Sequence, residues 1–225
     1  MKKIIIAIDG PAGAGKSTVA QLVGQRLNYT YIDTGAMYRA IAWKVLQDGL
    51  TVHDLAAIIN IAQSIRIKLA CNEGKTQVFV NEYDVTAEIR DPSVSSIVPD
   101  IAQVAAVREA MVRLQQSMAQ QGGVVMDGRD IGTHVLPNAD IKIFLTASIE
   151  ERAQRRWREL RDKGIAISLE DLTKDIAARD KKDCERDISP LIQATDAILL
   201  DTTDMSIEDA VMKILSICEE RQNGV

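Results

Sequence analysis

The stretch IIIAIDGPAGAGKSTVAQLV, residues 4–23, decides the fold class of this chain. It begins with a short apolar run, residues 4–8, of the kind that forms a buried strand in a parallel sheet. Its last eight residues begin a helical pattern that continues to residue 27. Between the two lies GPAGAGKS, residues 10–17, which matches G-x-x-x-x-G-K-[ST]. Because the motif is meaningful only between a strand and a helix, and both are predicted here, the stretch predicts a phosphate-binding loop on an α/β sheet.

The residues of this loop suit the phosphates of a nucleoside triphosphate. Its glycines let successive N–H groups point inward, and the start of the following helix adds a favourable dipole. Lys16 is expected to reach the β- and γ-phosphates, and Ser17 to bind Mg²⁺. The residues predicted to bind the nucleotide are Gly10, Pro11, Ala12, Gly13, Ala14, Gly15, Lys16, Ser17 and Thr18. A glycine-rich turn that matches by chance is disfavoured by the strand and the helix on either side.

The loop alone does not name a reaction, because GTPase switches and motor proteins also carry it. The sequence lacks N-K-x-D, the motif that binds guanine, and it lacks an apolar strand ending in Asp-Glu, as motors have. Both absences disfavour the switch and motor classes.

The composition is that of an ordinary globular protein, with 46% hydrophobic and 26% charged residues. The 225 residues suit one domain with insertions or at most two small domains, and we predict a single domain over residues 1–225. A net charge of −5 disfavours the coating of a polyanion, so no nucleic-acid polymer is expected as a partner. Apolar runs all fall short of about 18 residues, so no membrane span is predicted.

Two further features bear on the compartment and on metals. The N-terminus MKKIIIAIDG starts like a signal peptide, but its apolar run ends at Ile8 and the charged Asp9 follows, so we interpret it as the first strand. The three cysteines are widely separated and form no C-x-x-C, which suits free thiols in a reducing cytoplasm. With only two histidines, a zinc site is not expected.

Short apolar runs alternate with helical patterns along the chain, which predicts a parallel sheet flanked by helices. The predicted core strands are residues 3–8, 29–32, 123–126, 141–146 and 196–201. The predicted helices are residues 16–27, 36–49, 52–63, 99–121, 149–163, 169–183 and 206–221. Three helix starts carry the S-x-x-[DE] capping pattern, at Ser148, Ser168 and Ser206. Residues 64–90 alternate with period two around the turn NEGK, residues 72–75, which predicts an antiparallel hairpin inserted in the α/β core.

Polar residues follow the second and third predicted core strands. DTGAMYRA, residues 33–40, offers the hydroxyl of Thr34 and the guanidinium of Arg39 to a second phosphate. MDGRD ends the third strand, and because ligands bind at the carboxyl ends of such strands, its polar residues should face the same crevice. Asp127 is predicted to order the Mg²⁺ shell through water and Arg129 to clamp a phosphate. The alternatives are a surface position for Arg39 and a mutual Asp127–Arg129 salt bridge.

Two charged helices later in the chain predict a lid. In the first, Arg152 and Arg156 share a face with Arg155. In the second, Arg179, Asp183 and Arg186 are spaced i, i+4 and i+7, which predicts one stripe. A short connection makes the two helices an antiparallel hairpin, whose arginines would surround a transferring phosphoryl group and exclude water. The alternative is ordinary surface pairing of these arginines with Glu150, Glu151, Glu159, Asp180 and Glu185.

These segments resemble those of the nucleoside monophosphate kinases, and most closely the bacterial cytidylate kinases. The segments that carry the resemblance are IAIDGPAGAGKSTVA, YIDTGAMYRA, VTAEIR, VREAMVRLQ, MDGRDIGTHVLPNADIKIFLTAS, ERAQRRW and RDKKDCERDISPL. The resemblance implies Mg²⁺-dependent transfer of the ATP γ-phosphoryl group to CMP or dCMP. The cysteine usage makes us expect a cytoplasmic enzyme, and we expect it to be a monomer. It also implies a P-loop NTPase core with a five-stranded parallel sheet. The NMP-binding region would carry a small β-rich insertion, residues 64–98, and a short helical lid would span residues 150–188.

The resemblance also assigns roles by position. The grip on the acceptor phosphate falls on Thr34, Arg39, Arg129 and Arg186. Recognition of the base falls on Arg108 and Asp130, and contact with the sugar on Arg179 and Asp183. The residues expected to act in the transfer itself are Lys16, Arg129, Arg152, Arg156 and Arg186. A serine that the family uses near the base is Pro99 here, so that contact is lost or made by Ser95 or Ser96.

The predicted base pair makes chemical sense for cytosine. A carboxylate accepts hydrogen bonds from the N4 amino group, and a guanidinium donates to N3 or O2. Uracil would place its O4 acceptor against the carboxylate and leave a buried charge unpaired, so the pair favours cytosine. Two alternatives remain: a kinase for UMP or another small acceptor, and a nucleotide-dependent switch that hydrolyses slowly and acts through a partner.

Overall fold

The computed structural model describes residues 3–72, 75–162 and 164–223. The strands are β1 (Ile5–Asp9), β2 (Thr30–Asp33), β3 (Ile67–Asn72), β4 (Lys75–Val80), β5 (Tyr83–Asp84), β6 (Val124–Gly128), β7 (Ile141–Thr146) and β8 (Ile198–Asp201). The helices are α1 (Lys16–Leu27), α2 (Thr34–Gln47), α3 (Leu55–Ser64), α4 (Pro92–Ile101), α5 (Ala105–Ala119), α6 (Ile149–Asp162), α7 (Leu169–Glu185) and α8 (Ile207–Asn223). α-Helices lie between successive core strands except between β6 and β7, as the α/β interpretation predicts, whereas β3, β4 and β5 follow one another directly.

Five strands form a parallel sheet in the order β2-β6-β1-β7-β8. Ile6, Ile8 and Val125 are fully buried, because helices cover both faces of the sheet. One apolar core contains Val23 of α1 and Ile214 of α8, and the other contains residues of α2, α3 and α5. The predicted five-stranded parallel core is confirmed, with each strand end within two residues of the prediction.

The strand order brings three polar carboxyl ends side by side. Asp127 of β6 lies opposite Ile8 of β1 on one side and opposite Asp33 of β2 on the other. The phosphate loop leaves the end of β1 directly after Asp9. The loop and the acidic residues therefore share the sheet edge at which open α/β folds bind ligands.

The inserted β region is a three-stranded antiparallel sheet in the order β3-β4-β5. The prediction treated residues 76–85 as one strand, but a tight turn divides them. Asn81 and Glu82 have φ values of 47° and 74°, and two consecutive positive values are the signature of a type I′ hairpin turn. Of the predicted NEGK turn, residues 73–74 lie outside the described residues.

The single helix predicted over residues 99–121 is wrong, because the structure has α4 and α5 instead. Pro99 was taken as the start of a helix, but it lies inside α4. The actual start is marked by Asp91, whose side chain accepts a hydrogen bond from the Ser93 N–H, and by proline at the first helical position. The chain then turns and becomes extended at Val104 before α5 begins.

The two charged helices α6 and α7 pack against each other, and α7 begins as its capping pattern predicts. The Ser168 hydroxyl oxygen accepts a hydrogen bond from the Asp171 N–H at 3.0 Å. The Ser148 and Ser206 hydroxyls do the same for residues three positions on, at 3.2 and 3.1 Å. The three predicted capping interactions are confirmed. Over the described parts of the chain, every helix is too short or too polar to cross a membrane.

Candidate active site

The phosphate loop has a backbone that requires glycine. Gly10 has a φ of 149°, and a Cβ there would lie 1.9 Å from the carbonyl oxygen of Leu145. Lys16 is 5% exposed, and its Nζ donates a hydrogen bond to the Pro11 carbonyl at 2.7 Å. Burial, together with the nearby positive charge of Arg129, lowers the pKa of Lys16 to about 7. A phosphate group at this loop would favour the charged amine, so the site is suited to an anion.

Asp127 accepts hydrogen bonds on both carboxylate oxygens. Ser17 donates to Oδ2 at 2.9 Å and the Tyr31 hydroxyl to Oδ1 at 2.8 Å. Burial, together with the neighbouring negative charge of Asp33, raises the pKa of Asp127 to about 6. Hard oxygen donors next to a phosphate loop are what Mg²⁺ prefers, so Ser17 and Asp127 fit the predicted cation. Tyr31 was missed from the sequence, although a hydroxyl on β2 beside β6 could have been considered.

The predicted acceptor-phosphate residues lie at the same sheet edge. Thr34 donates its hydroxyl proton to the Asp127 carbonyl at 2.6 Å, and Arg39 pairs with Asp33 at 3.1 Å. Arg129 pairs with Asp183 of α7 at 2.7 Å, which replaces the mutual Asp127–Arg129 salt bridge considered above. The lid helix α7 is thereby tied to the end of β6.

The predicted base-recognising residues form a buried pair. Arg108 donates to the Asp130 carboxylate and, at 3.3 Å, to the Ala102 carbonyl in the turn between α4 and α5. Its guanidinium also lies 5.7 Å from the centre of the Tyr38 ring. Arg186 approaches the same carboxylate, with Nη2 at 3.6 Å from Oδ1. A carboxylate with a guanidinium on each side thus lies next to the predicted phosphate site.

Arg186 does not continue the helical stripe, and that prediction is wrong. Helix α7 ends at Glu185, and Arg186 is extended with ψ at 141°. Its Nε donates to the Ser189 carbonyl. The extended backbone directs Arg186 to Asp130, whereas Arg179 and Asp183 remain on the helix.

Among the described residues, several guanidinium groups of the predicted site are buried with donor atoms unpaired. Within the described parts of the chain, four of these buried donor atoms have no hydrogen-bond partner: Arg39 Nε, Arg108 Nε, Arg179 Nε and Arg186 Nη2. Burial, together with the nearby positive charge of Arg129, lowers the pKa of Arg179 to about 10. Because unpaired buried donors are costly, such a cluster is suited to an anionic ligand that supplies acceptors.

The three lid arginines on α6 have different surroundings. Arg152 is buried, donates to the Ala12 carbonyl in the phosphate loop at 3.0 Å and pairs with Asp180 of α7 at 2.6 Å. Arg155 reaches the same loop at the Ala14 carbonyl, at 3.2 Å. Arg156 is 43% exposed and pairs with Glu159 at 2.7 Å, as the surface alternative predicts. The role of Arg156 in transfer stays a prediction.

Pro99 and the two serines proposed to replace it lie on α4. Ser96 is exposed and donates its hydroxyl to the Ser93 carbonyl at 2.8 Å, whereas Ser95 is half-buried. Whether either serine makes the missing contact stays a prediction.

Comparison with known proteins shows the family of this chain. The family model described as cytidylate kinase matches residues 6–220. The chain belongs to the cytidylate kinase family. Among its relatives, a cytidylate kinase of Bacillus cytotoxicus is 53% identical over 219 residues, covering 97% of each chain. A cytidylate kinase of Caldicellulosiruptor bescii is 50% identical over 217 residues, covering 96% of each chain.

Cytidylate kinase family membership confirms the resemblance and the expected class of enzyme, a kinase. In addition, a crystal structure of an uncharacterized protein from Eubacterium ventriosum superposes with a TM-score of 0.55 at 12% identity. It covers 97% of this chain and 99% of that protein, and this likeness concerns the fold alone.

Proposed function

We propose that this enzyme transfers the γ-phosphoryl group of ATP to the phosphate of CMP or dCMP, giving ADP and CDP or dCDP. The observation that carries the proposal is the buried Arg108–Asp130 pair at the end of β6, beside the strand that leads into the phosphate loop. A carboxylate and a guanidinium in that position match the donor and acceptors of cytosine.

The phosphate loop supplies the donor side. Residues 10–18 would bind the ATP phosphates, with Lys16 next to the β- and γ-phosphates. Mg²⁺, when bound, neutralises developing charge on the phosphates. Ser17 would hold the cation directly and Asp127 through water, and the Tyr31 and Ser17 hydrogen bonds support this by fixing the Asp127 carboxylate.

The arginine cluster supplies the acceptor side. Arg39, Arg129 and Arg186 would hold the acceptor phosphate, assisted by Thr34. Arg179 and Asp183 would contact the sugar. Support comes from the buried guanidinium atoms without partners, which a phosphate would satisfy. When the substrate phosphate binds Arg129, it competes with Asp183, which links acceptor binding to the position of α7.

The transfer needs positioning and positive charge more than a base, because the acceptor phosphate is already anionic. Lys16, Arg129, Arg152 and Arg186 would surround the transferring group and its neighbours. Arg152 donates a hydrogen bond to Ala12 in the phosphate loop and pairs with Asp180 on α7, so it links the proposed ATP site to the lid helix.

The proposal extends to location and assembly. We propose a cytoplasmic enzyme, which suits the free thiols of Cys184 and Cys218. We further propose that the enzyme is a monomer. A kinase specific for UMP or a metabolite is less favoured, because Asp130 would then face an acceptor atom.

An assay of ATP consumption against a panel of acceptors tests the proposal. CMP and dCMP should support rates at least about tenfold above UMP, AMP and GMP, and ATP without acceptor should be nearly stable. A higher rate with another acceptor would move the function to that substrate. Rapid hydrolysis without acceptor would favour the switch alternative.

Removal of the Arg156 side chain separates a transfer role from surface pairing. If this guanidinium moves onto the transferring group during the reaction, Arg156→Ala should lower kcat by about 10²-fold. The matched control is Arg158→Ala on the same helix, where an exposed arginine is bonded to Gln154. Its kcat should stay within about twofold. A near-normal kcat for Arg156→Ala would reject a role of Arg156 in transfer and leave only its surface ion pair with Glu159.

A further inference from the structure

The carboxylate of Asp9 lies between the phosphate loop and the segment after Asp130, and the mechanism above gives it no role. Asp9 is the last residue of β1 and is 5% exposed. Its Oδ1 accepts a hydrogen bond from the Ile131 N–H and its Oδ2 one from the Gly132 N–H, both at 2.7 Å. One buried side chain therefore binds the two backbone amides that directly follow Asp130.

Those two amides begin the π-helical turn Ile131–Val135. The first amides of a helical turn have no acceptor within it, so an external acceptor fixes how the turn leaves the strand. Asp9 supplies that acceptor from the neighbouring strand. The turn also contacts the end of β6, because the Ile131 side chain packs closely on Gly128. A Cβ on Gly128 would lie 2.6 Å from Cδ1 of Ile131. The backbone on both sides of Asp130 is thus constrained.

The orientation of Asp130 depends on this backbone. Its carboxylate pairs with Arg108 and lies 3.6 Å from Arg186, so a rotation at the two following amides would move it relative to both guanidinium groups. We propose that Asp9 is a positioning residue for base specificity: it fixes the Asp130 carboxylate so that it accepts from N4 of cytosine. The inference rests on the proposed role of Asp130 as the residue that recognises the base.

A carboxylate is the side chain that this position needs. It presents two acceptor oxygens, whereas asparagine presents one oxygen and an NH₂ group that would meet an N–H. Burial raises the pKa of Asp9 to about 6, against the lowering effect of its two hydrogen bonds. The folded state therefore binds protons more readily than the unfolded state, so the ionised carboxylate lowers stability at pH 7. Asp9→Asn has the same shape and removes a buried charge, so we expect it to fold.

The test compares Asp9→Asn with a matched change at the other end of the same strand. Asp140 Oδ2 accepts a hydrogen bond from the Ile5 N–H at 2.9 Å, so Asp140→Asn alters the same kind of bond away from the site. In Asp9→Asn, kcat/KM for CMP should fall about 30-fold, and the ratio of kcat/KM for CMP to kcat/KM for UMP should fall about tenfold. KM for ATP should change by less than about threefold, because Asp9 makes no proposed contact with ATP. Asp140→Asn should keep the ratio.

Each other outcome overturns the inference. An unchanged ratio in Asp9→Asn, with a lower ratio in Asp130→Asn, rejects the role of Asp9 alone. Equal losses in Asp9→Asn and Asp140→Asn indicate a general loosening of β1. An unchanged ratio in Asp130→Asn rejects the proposed role of Asp130 and the inference with it, and this variant distinguishes the two failures.

A second variant covers the case in which Asp9→Asn does not fold. Asp9→Glu keeps a carboxylate but moves its oxygens by one methylene, so the Ile131 and Gly132 amides would bind an acceptor in a different position. The CMP-to-UMP ratio should fall about threefold, and an unchanged ratio in this variant would reject the role of Asp9.

Discussion

Replacement of Lys16 by Met should lower kcat by at least about 10³-fold, because it removes the buried cation proposed to neutralise charge on the transferring phosphoryl group. The fold should persist, since methionine suits a position that is 5% exposed. Burial lowers the pKa of Lys16 from its ordinary 10.5 to about 7. Between these values the folded state binds fewer protons than the unfolded state, so Lys16 makes stability rise with pH there, and the variant should lack that rise.

The measurements are steady-state kcat with saturating CMP and thermal unfolding between pH 7 and 10. Lys174→Met is the matched control, because Lys174 is exposed and pairs only locally with Glu170 at 2.7 Å. It should leave both kcat and the pH profile of stability unchanged. A Lys16→Met enzyme with kcat within tenfold of the original would contradict the proposed role of the phosphate loop.

Arg186→Ala should lower kcat by about 10²- to 10³-fold while the protein keeps its melting temperature within a few degrees. The side chain is 5% exposed and pairs with Asp130 at 3.6 Å, and its Nη2 has no hydrogen-bond partner in the described parts of the chain. It is therefore held at the site with a donor to spare. Arg186→Lys keeps the charge without the planar fork and should recover part of the loss.

The matched control for this change is Lys181→Ala, on the exposed side of the same helix end, where Lys181 lies 3.9 Å from Glu185. It should retain nearly full kcat. If Arg186→Ala did the same, the Arg186 side chain would have no part in the transfer and would not hold the acceptor phosphate.

The parts predicted well from sequence are those that depend on neighbours along the chain. The phosphate loop follows from a strand, a glycine-rich turn and a helix within residues 4–27, and the observed β1 and α1 reproduce it. The five strands follow from short apolar runs. Capping patterns such as Ser168 with Asp171 depend on three residues of spacing, and they are present as predicted.

The parts predicted poorly depend on contacts that sequence distance hides. Asp9 binds amides 122 and 123 residues away, and Tyr31 binds Asp127 across 96 residues. Nothing in the local pattern pairs these residues. The Arg186 prediction is wrong for a different reason. The helical spacing of charges was continued past Glu185, where α7 ends and the backbone becomes extended. The split of residues 99–121 into α4 and α5 is absent from the prediction because the prediction starts a helix at Pro99 and does not include the helix start at Asp91.

The central claim is that Asp130, paired with Arg108, selects cytosine, and its most direct test is the ratio of kcat/KM values for CMP and UMP. Asp130→Asn offers an amide that accepts or donates, so it should bind either base and lower the ratio by about tenfold or more. The lower ratio should come mainly from a lower kcat/KM for CMP, and KM for ATP should change little. A ratio in Asp130→Asn equal to that of the unaltered enzyme would contradict the claim.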